Sequence, residues 1–380
     1  MRRRGLAGSF WPTDLEILLL RTALVDRENA RNAWRQLRPV LRLDELEPAA
    51  LVLLPLLHRR LGELELDDEL RSRLRGIRRH TWYVNHLRLE RLRDAARALA
   101  DAGAEPLVVG SFELPVLYYG DLGARAVALL QVLVRPADDA AATGALGTGG
   151  WRVVDRSAHA TRFRRREDQC VVYRRLFHEF TDVGGRYAPA DYGGTAVSLS
   201  LAGVDARALG AADELCNVCL QGARPNFPRS AVWAADAAVV VEAAGPELDW
   251  DRVVEQSRRL RATLRLHDAL SFLRRELDVT VPRRVLEALA RTPTRPRERL
   301  AHAAAAASIP AVGPPPESLT RFLRMTADRS ASGALRLLPG FLQDEWGLER
   351  RSQVALRAAR KGAARLATAA RHASTAGGRG

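Results

Sequence analysis

The sequence predicts an α+β protein: a mixed sheet in the middle of the chain with helical regions before and after it. Three observations predict this. Up to about residue 103 the apolar residues recur at helical spacing. From residue 104 short β-type runs alternate with Gly and Pro breaks, beginning with Leu107-Val108-Val109-Gly110. After Ala206 long amphipathic stretches return. The chain has 380 residues, 47% of them hydrophobic and 27% charged, which suits several ordinary domains and excludes wholesale disorder.

The elements follow in order. Thr13, with Glu16 three residues on, caps a first helix, and Ala30 to Leu37 forms a second. Pro48 to Leu61 reads as one leucine-rich helix bent at Pro55. Leu70 to Ala102 is long and amphipathic and stops at Ala102-Gly103. In the middle, Leu107–Val109, Ala128–Val134, Trp151–Val154, Ala160–Arg164 and Cys170–Leu176 read as strands, the last two as a hairpin. Phe112–Tyr119 and Ala137–Leu146 between them read as helical. Asp213–Leu220 and Trp233–Glu242 are helices, Asp249 caps one long helix running to Leu277, and Pro282 opens a short one. Thr292 to Glu317 is rich in Pro, Ala and Arg and reads as a mobile linker, followed by a modest helix near Leu319–Met325 and a basic helix from about Arg350 to His372. The expected division is therefore 1–103 helical, 104–204 α/β core, 205–291 helical, 292–318 linker and 319–380 basic helical tail.

The net charge is +14, and 58 of the 59 basic residues are arginine, Lys361 being the exception. Part of this is the bias of a GC-rich genome. The excess is nonetheless uneven: from Glu349 onward eight basic residues face one acid, half of the total. Such a tail reads either as an anchor for an acidic partner or as a solvated, frayed terminus. Aromatics are 6% of the chain and none lies beyond Trp346, so the tail lacks stacking groups and nucleic acid is not an expected partner. No apolar run reaches the ~18–20 residues of a membrane span. Asp14 and Glu16 interrupt the apolar segment that the Met1–Arg4 start would need for export. Three cysteines make no disulfide framework, and a reducing cytoplasm is the expected location.

Cys216-x-x-Cys219 is the most visible motif. Structural zinc needs four ligands, and the third cysteine, Cys170, and the histidines are remote in sequence, so the pair reads as two buried thiols. The histidines form no catalytic set with a serine. Gly110-Ser111 is more informative. A strand that runs into Gly-Ser and then a helix can turn backbone N–H groups toward a phosphate.

The order of segments around that turn is similar to the uncharacterised nucleotidyltransferases, a branch of the DNA polymerase β-like superfamily. The resemblance spans about Trp11 to Leu289. It is carried by Leu53-Leu54-Pro55-Leu56-Leu57-His58-Arg59, Trp82-Tyr83-Val84-Asn85, Tyr119-Gly120-Asp121 through Arg125, and Val132-Leu133-Val134-Arg135-Pro136. Gly150-Trp151, Asp213-Glu214-Leu215 through Gly222, Val232-Trp233-Ala234-Ala235-Asp236-Ala237 and Asp249-Trp250-Asp251-Arg252 continue it. It implies a nucleotidyltransferase-like mixed sheet between helical regions. It also implies a setting in bacterial peptide natural-product clusters, lasso peptide clusters included.

The departures are as informative. The family's Asp-x-Asp pair falls on Leu129 and Gln131, its third carboxylate near Val171, its Lys-Gly on Val109-Gly110, and a frequent histidine on Gln221. Nucleotidyl transfer needs anionic oxygens to hold two divalent metals against a triphosphate, and leucine, glutamine and valine supply none. Asp121, Glu113, Glu167, Asp168, Asp138 and Asp139 are the other carboxylates nearby, and none alternates in pairs on one strand face. The expectation is a catalytically inactive relative with no catalytic or metal residues and no cofactor. Gly110, Ser111 and Arg125 remain as phosphate-binding candidates, and a biosynthetic protein or peptide is the expected partner. The alternatives are a divergent enzyme using Mg²⁺ and a nucleoside triphosphate to modify a peptide or small molecule, and an arginine-rich nucleic-acid-associated protein.

Overall fold

A computed structural model describes residues 11–66, 68–157, 159–177, 190–222 and 231–306, and 322–359 apart from 324, 327, 328, 347 and 349. The chain divides into two compact units, Met1–Ala327 and Asp328–Gly380.

The first unit is α+β. Helix α1 (Asp14–Leu24) opens on a capping box: Thr13 Oγ1 accepts the Glu16 N–H at 3.3 Å while Glu16 Oε2 accepts the Thr13 N–H at 2.7 Å. Helix α2 (Arg27–Leu37) is capped by Asp26. The stretch expected as one bent helix is two, α3 (Pro48–Leu51) and α4 (Leu54–Glu63). Pro55 lies in the first turn of α4, where its missing N–H has no intrahelical partner to lose. Helix α5 (Leu70–Asp101) is continuous over 32 residues.

The sheet has seven strands: β1 (Leu107–Val108), β2 (Leu130–Leu133), β3 (Arg152–Arg156), β4 (Ala160–Arg165), β5 (Asp168–Tyr173), β6 (Val197–Leu201) and β7 (Val204–Ala208). Their order is β3-β4-β5-β2-β1-β7-β6, with β2 parallel to β5, β1 parallel to β7, and the other pairs antiparallel. Helix α6 (Asp139–Thr148) joins β2 to β3, and α7 (Ala190–Gly193) precedes β6. The β6–β7 hairpin corrects the expected return of helices at Ala206. Val197, Leu199 and Leu201 alternate with Ser198 and Ser200, and Ala202 and Gly203 both take positive φ, as a two-residue hairpin turn requires.

Alternation gives the sheet two different faces. Val108, Leu130, Val132, Cys170 and Val172 pack with Leu92 and Leu99 of α5 and Leu146 of α6. The other face carries Leu107, Val109 and Leu133, which pack with Leu220 and Leu260 among the helices that follow. Those are α8 (Ala211–Gly222), α9 (Val232–Ala244), α10 (Trp250–Arg259), α11 (Thr263–Glu276), α12 (Arg283–Ala290) and α13 (Pro296–Ala306). The single helix expected over 249–277 breaks between α10 and α11. Arg261 is left-handed there at φ 51, and the Ala262 N–H bonds back to the Ser257 carbonyl at 2.8 Å, which terminates a helix. Part of the expected linker is α13, where Glu298 and Ala301 are buried and His302 Nε2 meets Asp268 Oδ2 at 2.9 Å. Residues 307–321 lie outside the described residues.

The second unit contains α14 (Ala331–Glu345), capped by Ser330, whose hydroxyl accepts the Gly333 N–H. A further helical stretch is described over 352–359; the rest of the expected basic helix lies outside the described residues.

Candidate functional site

Four of the six residues singled out from the sequence, Gly110, Arg125, Leu129 and Gln131, line one cavity of about 250 Å³. Its floor is the end of β1 and β2, and its remaining wall is α8 and α9, through Asn217, Gln221, Trp233 and Asp236. Val171 and Ser111 do not line it. Val171 stands on β5 in register with Gln131 and is 5% exposed, and Ser111 is buried behind the turn.

Each candidate side chain already has an intramolecular task. Gln131 Nε2 donates to the Gly110 carbonyl at 2.9 Å, and Gln131 Oε1 accepts from the Tyr173 hydroxyl at 2.9 Å. The amide therefore holds the turn to β5 by both ends. Gly110 sits at φ +61, a conformation that L side chains rarely adopt. One strand beyond Val171, in register, comes Arg162 of β4, which is exposed. The row across the sheet thus reads Gln131, Val171, Arg162, with a guanidinium only about 10 Å of backbone away from the position expected for a metal-binding aspartate.

At the expected phosphate cradle the Ser111 donors have a partner within the chain. The Ser111 N–H donates to Glu113 at 2.9 Å to Oε1 and 3.0 Å to Oε2, and Ser111 Oγ donates to Glu113 Oε2 at 3.2 Å. A carboxylate from two residues downstream has taken the place of a bound anion. An incoming phosphate would have to displace that carboxyl group to reach the donors. Glu113 is fully buried, and burial pushes its pKa up to about 7 in spite of these hydrogen bonds. Glu214 of α8 is also fully buried. Burial and then the nearby Glu113 push its pKa well above the ordinary carboxylate value, and its Oε2 has no hydrogen-bond partner. Asn217, one turn on, donates from Nδ2 to Glu214 Oε1 at 3.1 Å and leaves its own buried Oδ1 unpartnered.

Arg125 is likewise occupied. Its Nη2 and Nε donate to Asp236 Oδ2 and Oδ1 at 2.9 and 3.2 Å, and the Tyr119 hydroxyl donates to Asp236 Oδ1 at 2.8 Å. Burial alone would lower the arginine's pKa, but Asp236 more than offsets this by charge and hydrogen bonding, so the guanidinium stays charged. Arg125 thereby ties the loop before β2 to α9.

The motif Cys216-x-x-Cys219 lies within α8, with both thiols buried. Burial, and for Cys216 also Asp213, raises both pKa values well above the ordinary thiol range. Among the described residues no three His, Cys, Asp or Glu side chains are grouped to hold a metal ion.

The profile of the uncharacterised nucleotidyltransferase family matches residues 49–278, more than half of the chain. Fold and sequence agree, and the chain belongs to that family. No curated protein and no solved structure matches it.

Several polar groups of the cleft and its surroundings escaped the sequence reading: Glu214, Asn217, Asp236 and Tyr173. A signal existed for the first three. Ala212 to Leu220 and Trp233 to Val241 are each nine consecutive buried residues, and helices dry on every side accommodate Asp, Glu or Asn only where a partner or a ligand waits. Gly222 belongs to the same packing, because a Cβ there would lie 2.0 Å from Cβ of Trp233.

Proposed function

We propose that this chain is a non-catalytic member of its family, a nucleotidyltransferase fold retained for binding. The row Gln131, Val171, Arg162 carries the reading. Magnesium asks for hard anionic oxygens. Here the three in-register positions offer an amide with both ends engaged, an aliphatic chain and a cation. The residues present do not fit a metal-bound triphosphate, and no transfer step is derived through one. Two further features support the reading: Glu113 fills the Ser111 donors, and about 250 Å³ is below the ~300–1,000 Å³ of most small-molecule pockets. An accessory role toward a partner protein or peptide in bacterial natural-product biosynthesis extends this proposal and rests on the family resemblance.

Titration calorimetry with nucleoside triphosphates, with and without magnesium, tests it. The wild type is expected to gain no affinity from the metal and to release no pyrophosphate. The variant with Leu129→Asp, Gln131→Asp and Val171→Asp is expected to acquire magnesium binding, more so when Arg162→Ala is added. Tight magnesium-dependent binding by the wild type would overturn the proposal in favour of a divergent active enzyme.

A further inference from the structure

Outside the cleft, α5 carries an exposed surface that the fold does not use. Its segment from Leu70 to Leu89 contains six arginines and no acid. Three of the six are committed: Arg73 to Asp44 at 2.7 Å, Arg78 to Asp121 at 2.8 Å, and Arg88 to the Val127 carbonyl at 2.6 Å. Arg75 and Arg79, one turn apart and both exposed, have no hydrogen bond or ion pair among the described residues. The next turn presents Trp82 at 46% exposure and Tyr83 at 57%, with the His86 ring against Trp82 at 3.9 Å between centroids. The local potential is positive: His58 on neighbouring α4 has its pKa lowered, first by burial and then by Arg78, Arg75 and Arg71.

Two ring faces beside two unpaired guanidiniums have few uses within a monomer. Exposed aromatics lose hydrophobic stabilisation, and arginines on one helix face repel each other. We propose that this face of α5 binds single-stranded nucleic acid, with bases stacking on Trp82 and Tyr83 and phosphates held by Arg75 and Arg79. This does not depend on the reading of the cleft. A protein partner is less well matched. The exposed apolar groups here are Trp82, Tyr83 and Leu87, a small patch beside the ~800 Å² per partner of a stable protein interface, whereas stacking and charge need only small planar and cationic groups.

The test is fluorescence anisotropy of a labelled oligothymidylate of about 20 nucleotides with the full chain, over a range of salt. Binding that weakens with salt is expected. Trp82→Ala and Tyr83→Ala are each expected to lower affinity between about 5-fold and 100-fold, the range supported by base stacking. Arg75→Ala with Arg79→Ala is expected to lower the steepness of log affinity against log salt by about 1.4, or ~0.7 for each phosphate no longer neutralised. All four side chains are on the surface, so unchanged circular dichroism and melting temperature confirm that the variants fold. Three results overturn the proposal: no binding by the wild type, binding indifferent to loss of both rings (which places it elsewhere on this basic chain), or equal displacement by polyglutamate, which makes the face a general anion or acidic-protein surface.

Discussion

Asp213 and Glu214 are consecutive residues of α8, both buried, and the fold treats them in opposite ways. Asp213 is surrounded by donors: Thr195 Oγ1 and Arg252 Nε at 2.8 Å from Oδ2, and Gln256 Nε2 at 2.9 Å from Oδ1. It ties α8 to α10 and to the loop before β6. Glu214, fully buried, has the Asn217 amide on one oxygen, nothing on the other, and Glu113 as a like-charged neighbour. One carboxyl group is surrounded by donors; burial and a like-charged neighbour favour the neutral form of the other. Burial thus does not by itself mark a functional carboxylate, and what matters is whether the fold supplied it with partners.

The sharpest way to break the contrast is to remove each group in turn. Asp213→Ala leaves the Arg252 guanidinium and the Gln256 amide without their acceptor and is expected to cost about 3–5 kcal/mol, read as a lower urea midpoint. Glu214→Gln keeps the shape and the acceptor for Asn217 while removing the proton uptake that folding demands of a buried acid, and is expected to raise stability at pH 7 rather than lower it. Equal losses in the two variants would dissolve the distinction.

A smaller effect separates the two sites by pH. Glu113 has a folded pKa of about 7 against 4.5 unperturbed, so the folded state binds more protons than the unfolded one between those values. Its contribution to stability is fully present below about pH 4.5 and is lost as pH rises through 7, by up to about 3 kcal/mol. Glu214, shifted in the same direction, adds a loss of the same sign. Glu113→Gln is expected to flatten the slope of unfolding free energy between pH 4.5 and 7, and a slope unchanged in that variant would remove the carboxylate from the account.

The smallest effect concerns the rest of α8. Cys216 and Cys219 are dry, and burial holds their thiols protonated. Neither is expected to react with a thiol reagent until the protein unfolds, and replacing both by alanine is expected to cost about 1–2 kcal/mol through weaker packing. Stoichiometric zinc released by that double change would show instead that α8 carries a metal site.

Much of the fold is legible in the chain because it depends on neighbours. The Thr13–Glu16 box, the long α5 with its stop at Ala102-Gly103, and the β4–β5 hairpin each depend on spacings of a few residues. Residue type at Leu129, Gln131 and Val171 is legible in the same way, since none of the three side chains offers an anionic ligand. Two local features are harder to read. The Val-Ser-Leu-Ser-Leu alternation of β6 spans only five residues, and the break at Arg261 carries no glycine to mark it.

What only the tertiary structure decided is where each polar group spends its hydrogen bonds. Arg125 and Asp236 are 111 positions apart, Gln131 and Tyr173 are 42 apart, and Arg162 enters the row of Gln131 solely through the register of three strands. Even Glu113, two residues from Ser111, depends on tertiary packing: local chain geometry lets it reach the Ser111 N–H, but its raised pKa comes from the walls that α8 and the sheet close around it. Short-range spacing is written in the sequence because the backbone's dihedral preferences carry it, whereas desolvation and long-range partners exist only once the core has closed.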